Sequence, residues 1–467
     1  MPDNKPTTKA PNRPRHKPAV STVLQDGRIV ELIYDPKAKR TNFAIWDGTQ
    51  WRIEKAATAA GGIALAPYSP RNNLIENRVV LLPSRPEEYG TEPELFDRIR
   101  RYIHRYVDVS PRFERLASLY VLLSWVYDSF NELPYLRLRG DFGSGKTRFL
   151  LTVGAVCYKP IFASGASTIS PIFHTLDAFR GTLVLDEGDF RFSDEKAEMI
   201  KILNNGNMRG LPVLRTEISR DREFNPRAFQ VYGPKIIATR GAYEDRALES
   251  RFLTEDMRGG RLREDIPISL SSDYHDEALA LRNRLLLYRF RNHGTFEPVV
   301  PLEDVTIEPR LRQIFAPLAA VADAQQREEL HWLAREYSDG LATDRAFAME
   351  AEVLTVIQGL LAEQGKRALS IKEIAASFTA AHGEAYGTIS AKAIGVTVRQ
   401  RLGLATRKSQ GNYMIPPSEL PKLAALYRRH GIAESVDQAT GAEEDNGDLG
   451  DFLREQEVRA DAADQAA

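Results

Sequence analysis

The chain has 467 residues, 43% of them hydrophobic and 27% charged, ordinary values for a soluble globular protein with room for about three domains. Its most apolar stretch, Leu116 to Tyr127, is only about half the ~20 residues that cross a bilayer, and the single cysteine, Cys157, excludes an internal disulfide or a multi-cysteine zinc site. The net charge of −1 hides an asymmetry, because eleven acids against Arg454 and Arg459 put −9 on residues 434–467 and leave +8 on residues 1–433.

Residues 1–18 carry five prolines and five Lys/Arg with little to bury, so they are expected to form a disordered basic arm. Nothing there resembles a secretory signal, and a cytoplasmic location follows as an expectation. From 19 to 90, short runs rich in Val, Ile, Tyr and Trp are broken by Asp26-Gly27 and Asp47-Gly48, the punctuation of hairpins in a small β-rich domain. Trp46 and Trp51 are read as core residues of that domain. A helical linker, 91–131, follows as two helices, Pro93 to Val107 and Pro111 to Phe130, with apolar groups at three- and four-residue spacing.

Between 132 and 260, apolar runs alternate with helical patterns, which predicts a largely parallel sheet with crossover helices. The runs are Tyr135 to Arg139, Pro160 to Ala163, Thr182 to Asp186, Lys235 to Thr239 and Phe252 to Thr254. Helical segments within 261–345, near Asp276 to Phe290 and Pro309 to Gly340, are expected to form a lid. Residues 346–432 read as three helices and a hairpin, a winged helix. Ser370 opens its second helix in a capping-box pattern with Glu373, and Ser390 caps a third that stops at Gly403. Its wing turns at Gln410-Gly411-Asn412. The acidic stretch 433–467 reads as a disordered, solubilising tail.

The strongest chemical signal is Gly140-Asp141-Phe142-Gly143-Ser144-Gly145-Lys146-Thr147, a P-loop pattern between a predicted strand and a predicted helix. Glycines let the backbone curl until its amides point inward at phosphate oxygens, and the helix N-terminus adds a favourable dipole. Lys146 then meets the β- and γ-phosphates of ATP, and Thr147 ligates Mg2+. A second strand, Leu183-Val184-Leu185-Asp186-Glu187, delivers two carboxylates to the carboxyl edge of the sheet.

That strand end resembles the Walker B motif of AAA+ proteins, which implies Asp186 on Mg2+ through water and Glu187 polarising the attacking water. Lys235-Ile236-Ile237-Ala238-Thr239-Arg240 resembles a sensor-1 strand with Thr239 at the sensing position, where many family members carry Asn. Ala247-Leu248-Glu249-Ser250-Arg251-Phe252 resembles the arginine-finger motif of minichromosome maintenance helicases. The resemblance implies that Arg251 reaches a neighbouring subunit's site; Arg246 is its rival. Leu281-Arg282-Asn283-Arg284 resembles a sensor-2 segment, implying Arg282 on the γ-phosphate, with Arg284 and Arg289 as competitors.

Between the Walker B and sensor-1 strands lie two β-prone arms, Leu211 to Glu217 and Phe229 to Tyr232, with Arg220, Arg222 and Arg227 between them. Their place in the order of elements resembles the pre-sensor-1 hairpin of superfamily-3 and minichromosome maintenance helicases, which grips the DNA backbone in a ring channel. Lys392, Arg399, Arg407 and Lys408 form a candidate duplex-binding face on the winged helix. Over residues 95–420 the chain is thus similar to AAA+ replication helicases of phages, plasmids and genomic islands. The resemblance implies an α/β P-loop core with a helical lid, ATP and Mg2+, a homo-oligomer of hexameric type, DNA as substrate and a primase in trans. An ATP-switched DNA-binding initiator or regulator that unwinds nothing is the alternative.

Overall fold

A computed structural model describes residues 17–186, 193–218, 224–243, 245–257, 263–296, 304, 306–364, 368–409, 411–430 and 432. The chain divides into two units, residues 1–338 and 339–467. Among the described residues, no helix is long and apolar enough to cross a membrane. The acidic tail, Glu187, Arg220, Arg222 and residues 1–16 of the predicted arm lie outside the described residues.

The N-terminal strands are β1 (Lys17–Ala19), β2 (Ser21–Val23), β3 (Ile29–Asp35), β4 (Arg40–Trp46), β5 (Trp51–Glu54), β6 (Ala57–Thr58) and β7 (Ala64–Pro67). β2 to β5 form an antiparallel meander, and β1, β7 and β6 a second small sheet. Lys17 and Pro18, read as the end of the arm, belong to β1, which runs parallel to β7. The β4–β5 turn follows from Asp47, whose carboxylate accepts the amides of Thr49 and Gln50 while Gly48 takes φ 101°. Trp51 is 39% exposed, not core, whereas Trp46 stacks on Phe290 at 5.8 Å between ring centroids.

This part does not keep its own core. Val30, Leu32, Phe43 and Ile45 share one buried cluster with Ile161 and Leu185 of the central sheet and Phe179 of a helix that covers it. The helix α1 (Asn73–Glu76) leads into a strip that bonds the sheet edge, with the Phe162 amide donating to Val79 O and that of Leu81 to Pro160 O. Beneath it lies a buried charge network. Glu31 receives Lys159 at 2.8 Å and Arg289 at 2.7 Å, and Arg289 also donates to Asp128. The predicted separation at residue 90 is thus bridged by both apolar packing and paired buried charge.

Two helices follow, α2 (Glu92–Tyr106) and α3 (Pro111–Trp125). Thr91 and Glu94 cap α2 reciprocally, and Ser110 caps α3 through the Phe113 amide. Nearly every residue of α3 is buried, as a helix apolar on all sides must be.

The central sheet consists of β8 (Tyr135–Arg139), β9 (Ile161–Ser164), β10 (Leu183–Asp186), β13 (Lys235–Thr239) and β14 (Phe252–Asp256), all parallel, in the order β14-β8-β13-β10-β9. Its crossovers carry α4 (Lys146–Val156), α5 (Ile169–Phe179), α6 (Ser193–Asn205) and the short α7 (Arg246–Glu249). β11 (Val213–Ile218) and β12 (Phe224–Phe229) form an antiparallel hairpin between α6 and β13. All five predicted sheet strands are present.

The segment predicted as a lid differs from expectation. Its first helix, α8 (Ser272–Asn292), is buried along most of its length and tied to the back of the core. Tyr274 donates to Leu151 O on α4, and the Asn283 side chain bonds Ser84 and Glu87. α9 (Pro309–Ala320) and α10 (Ala324–Gln364) follow, and α10 runs unbroken past the predicted boundary at 345.

The second unit contains β15 (Leu369–Ser370), α11 (Ile371–Tyr386), α12 (Ala391–Val396) with a π-turn Thr397–Arg401, β16 (Arg407–Ser409), β17 (Asn412–Ile415) and α13 (Leu420–Arg429). Its three strands pair antiparallel in the order β15-β17-β16 around a core of Ile357, Phe378, Ile394, Val398 and Ile415. Ser390 caps α12 as predicted, and Ser370 caps α11, though through the Lys372 amide rather than that of Glu373.

Candidate functional site

The Gly140–Thr147 loop leaves the carboxyl end of β8 and enters α4 at Gly145. Gly143 and Gly145 take φ of 73° and 92°, a region that side chains disfavour. A Cβ on Gly140 would lie 2.5 Å from Met257 O, so the close approach of the residue that follows β14 also demands glycine there. Phe142 and Gly143 form a turn and α4 opens at Lys146, so the loop backbone curls at a helix start, the form of an anion cradle.

Lys146 Nζ folds into this loop and donates to the carbonyls of Gly140 and Asp141, both at 2.6 Å. Thr147 Oγ1 donates to Asp186 Oδ2 at 2.7 Å, so the P-loop helix and the end of β10 meet across the intervening β13. Two hard oxygen donors so placed suit a magnesium ion. At the end of β13, Thr239 is 1% exposed and its Oγ1 has no hydrogen-bond partner. A buried hydroxyl left unsatisfied beside an anion cradle is a group held for a ligand oxygen or water. Ser144 closes the loop by donating to Asp141 O.

One participant was not foreseen. Arg240, immediately after Thr239, stacks its guanidinium 3.8 Å over the ring of Phe142, which is 76% exposed at the loop tip. The strand end Thr239-Arg240 was visible in the sequence, but the pairing of β13 with β8, which brings the arginine to the loop, was not.

Two predicted residues are corrected. Arg251 is buried, and its guanidinium bonds Asn207 Oδ1 at 2.9 Å, Asn204 Oδ1 at 2.6 Å and Ala247 O at 2.7 Å. Burial, then the Arg310 charge, pull its pKa below the ordinary arginine value. Held through Nε and Nη1 within its own subunit, it does not project as an arginine finger. The rival Arg246 begins α7, but its side chain lies outside the described residues. Arg282 is also buried, donating to Leu82 O and to Ala155 O, and burial lowers its pKa to about 10. Ala155 is nine residues beyond Lys146 on α4, roughly 13 Å along the axis, so Arg282 does not reach a γ-phosphate. Its competitor Arg289 is locked in the Glu31 network, and Arg284 lies on the outer side of α8 beside α2.

The predicted hairpin is present, with Val213↔Phe229 at its base and Ile218↔Phe224 nearest the turn. Phe229 is fully buried against Phe173 at 4.8 Å. Arg227 faces Arg215 across the strands, a repulsive pair unless neutralised. Asp177 does so for Arg227 at 3.5 Å, and Glu198 for Arg215. Arg227 therefore belongs to the shaft, about 10 Å short of the last paired residues.

In the second unit, Lys392, Arg399, Arg407 and Lys408 are all exposed. Arg399 stacks on Tyr413 at 5.3 Å, and Lys408 pairs opposite Tyr413, so these two basic groups share one side of the hairpin. Arg407, one residue before Lys408, points to the other side with Met414, and the predicted four-residue face loses it.

No family model and no curated protein matches the chain. Among solved structures, the apo C-terminal region of NrS-1 aligns over 83% of this chain and 96% of its own, at 10% identity and a TM-score of 0.30. A JCV helicase aligns over 53% and 60% at 17% identity and a TM-score of 0.27. Drosophila ORC bound to DNA aligns over 74% and 96% at 12% identity and a TM-score of 0.19. Likenesses this loose carry no weight for activity, which rests on the residues above.

Proposed function

We propose that the chain is an ATP-hydrolysing P-loop motor of the AAA+ type that acts on DNA. The observation that carries the reading is the contact of Thr147 with Asp186 across β13, beside the unpartnered Thr239 hydroxyl. It supports a nucleotide site in which cradle, metal ligands and a sensing hydroxyl converge at one sheet edge.

The work of each residue follows from its position. The loop amides bind the β-phosphate. Lys146, held ready by two carbonyls, exchanges them for phosphate oxygens of higher charge. Thr147 and Asp186 would hold Mg2+, which when bound neutralises charge on the β- and γ-phosphates. Thr239 orients the attacking water, and Glu187, next along the chain from Asp186, is the base that polarises it. Arg240 is positioned to close the loop mouth. The β11–β12 hairpin and the Arg399–Lys408 side of the second unit, a winged helix in this reading, are the DNA-contacting parts.

Burial of Arg251 favours keeping a second reading, an ATP-switched initiator or regulator that binds DNA without unwinding it. No arginine among the described residues is then assigned to complete a neighbour's site, and ring assembly rests on the resemblance alone. Forked DNA separates the two. The motor reading predicts ATP-dependent strand separation, abolished by Lys146→Ala. Duplex binding without strand separation, together with hydrolysis that DNA leaves unstimulated, establishes the switch instead.

A further inference from the structure

Away from the nucleotide site, a surface pocket of about 280 Å³ lies between α2 and α8. Its walls include Arg98, Arg101, Arg105 and Arg284 around the ring of Tyr102, with Glu277 as the one carboxylate. The spacing on α2, a step of three and then one of four, puts three arginines on one face of the helix. Like charges so placed repel one another along the helix, so the arrangement is not explained by helix stability.

The nearby acids are already engaged. Glu277 accepts Arg105 on one oxygen and the Tyr106 hydroxyl on the other, and Asp97 pairs with Arg100. Arg101 turns back to Asp97 O and Arg284 to Ala280 O, each at 3.2 Å. Among the described residues, no carboxylate pairs with Arg98, Arg101 or Arg284. A surface that merely solubilises intersperses its signs; this one concentrates cation in a concave site. Its floor is rigid, since Tyr102 stacks on Tyr274 at 5.8 Å and Tyr274 is anchored to Leu151 of the P-loop helix.

We propose that this pocket is a phosphodiester-binding site, taking the backbone of a nucleic-acid strand on residues other than those of the hairpin and of the second unit. The volume falls just short of the ~300 Å³ at which small-molecule pockets begin, which suits phosphate groups passing over an open site rather than an enclosed nucleotide. Arginine is the residue that grips phosphate with two donors at once. The inference shares with the functional reading above the premise that the full chain binds DNA.

The test is the salt dependence of binding of a fluorescent oligo-dT strand to the full chain. Arg98→Gln, Arg101→Gln and Arg284→Gln are combined in one variant, with Arg→Lys at the same positions in a second. Each phosphate contact on a single strand contributes about 0.7 to the log–log slope, so the glutamine variant should lose about 2 from it. Over the tenfold span from 1 M to 0.1 M salt, that slope change amounts to about 100-fold in affinity at the lower salt. The lysine variant should keep the slope, and an unchanged thermal midpoint shows that both are folded. A glutamine variant that binds like the parent overturns the proposal, as does a lysine variant that loses as much as glutamine. Loss of inorganic tripolyphosphate binding with the DNA slope intact also overturns it, by assigning the pocket to a small polyanion. If the parent itself binds no DNA, the functional reading fails along with it.

Discussion

Arg251→Ala separates two roles for one arginine, because removing a buried brace and removing a catalytic finger leave different marks. In the structure the side chain makes three hydrogen bonds within its own subunit, two to Asn204 and Asn207 and one to Ala247 O. Bonds from a charged donor contribute about 1.5–3 kcal/mol each, offset by the cost of burying the guanidinium. The vacated space opens to partial solvent, which rehydrates some of the orphaned acceptors, and Asn204 keeps its bond to Asp245. A net destabilisation of about 2–4 kcal/mol follows, in the range of a lost buried network. Chemical denaturation reads it directly, alongside single-turnover ATP hydrolysis by the folded fraction. Hydrolysis should change by only about two- to threefold, against the 10³ or more expected of an arginine finger. Unaltered stability with a thousandfold loss of hydrolysis would refute the structural role.

Three further substitutions probe separate parts of the structure. Thr147→Val removes the hydroxyl that meets Asp186 and should raise the Mg2+ concentration needed for half-maximal hydrolysis at least tenfold, read by magnesium titration; an unchanged requirement removes Thr147 from the metal site. Arg289→Met leaves buried Glu31 and half-buried Asp128 without their shared partner and should cost about 3 kcal/mol in denaturant unfolding. Burial alone would push the Asp128 carboxyl up, but Arg289 outweighs it and holds it well below the usual range. In the parent this contribution is fully present above the ordinary carboxylate pKa and is lost as pH falls through the depressed folded value. Lys235 is fully buried on three backbone carbonyls, and burial lowers its pKa to about 7. Above that value the unfolded chain holds the proton that the folded chain has released, so stability should rise with pH from about 7 toward the free lysine value, by up to about 1.4 kcal/mol per unit. The difference between parent and Lys235→Met unfolding curves isolates this slope, and parallel curves would contradict it.

The sheet was legible because five short apolar runs alternating with helical periods leave few other arrangements, and the strand–loop–helix around Gly140 to Thr147 because Gly143 and Gly145 take the positive φ that its turn needs. The strand order was not legible. It depends on which edges pair, and with it went the contact of Arg240 with Phe142 and the neighbourhood of Thr239. Arg251 and Arg282 lie away from their expected places for one physical reason. A Ser-Arg-Phe or Leu-Arg-Asn string does not say whether the guanidinium faces outward or finds carbonyls and amides within its own fold, as Arg251 and Arg282 do. The separate N-terminal domain failed because local patterning shows strands, not whose core they join. Glu31 looks like a surface acid in sequence, yet it is buried between Lys159 and Arg289.

The central claim is that the loop from Gly140 to Thr147, with Asp186 and Thr239, hydrolyses ATP in service of DNA. The direct measurement is steady-state ATP turnover by the full chain with Mg2+, with and without single-stranded DNA, beside Lys146→Ala. Magnesium-dependent turnover that rises on adding DNA and disappears in the variant is the predicted result. Turnover equal in parent and variant, or none in the parent with DNA and Mg2+ both present, contradicts it.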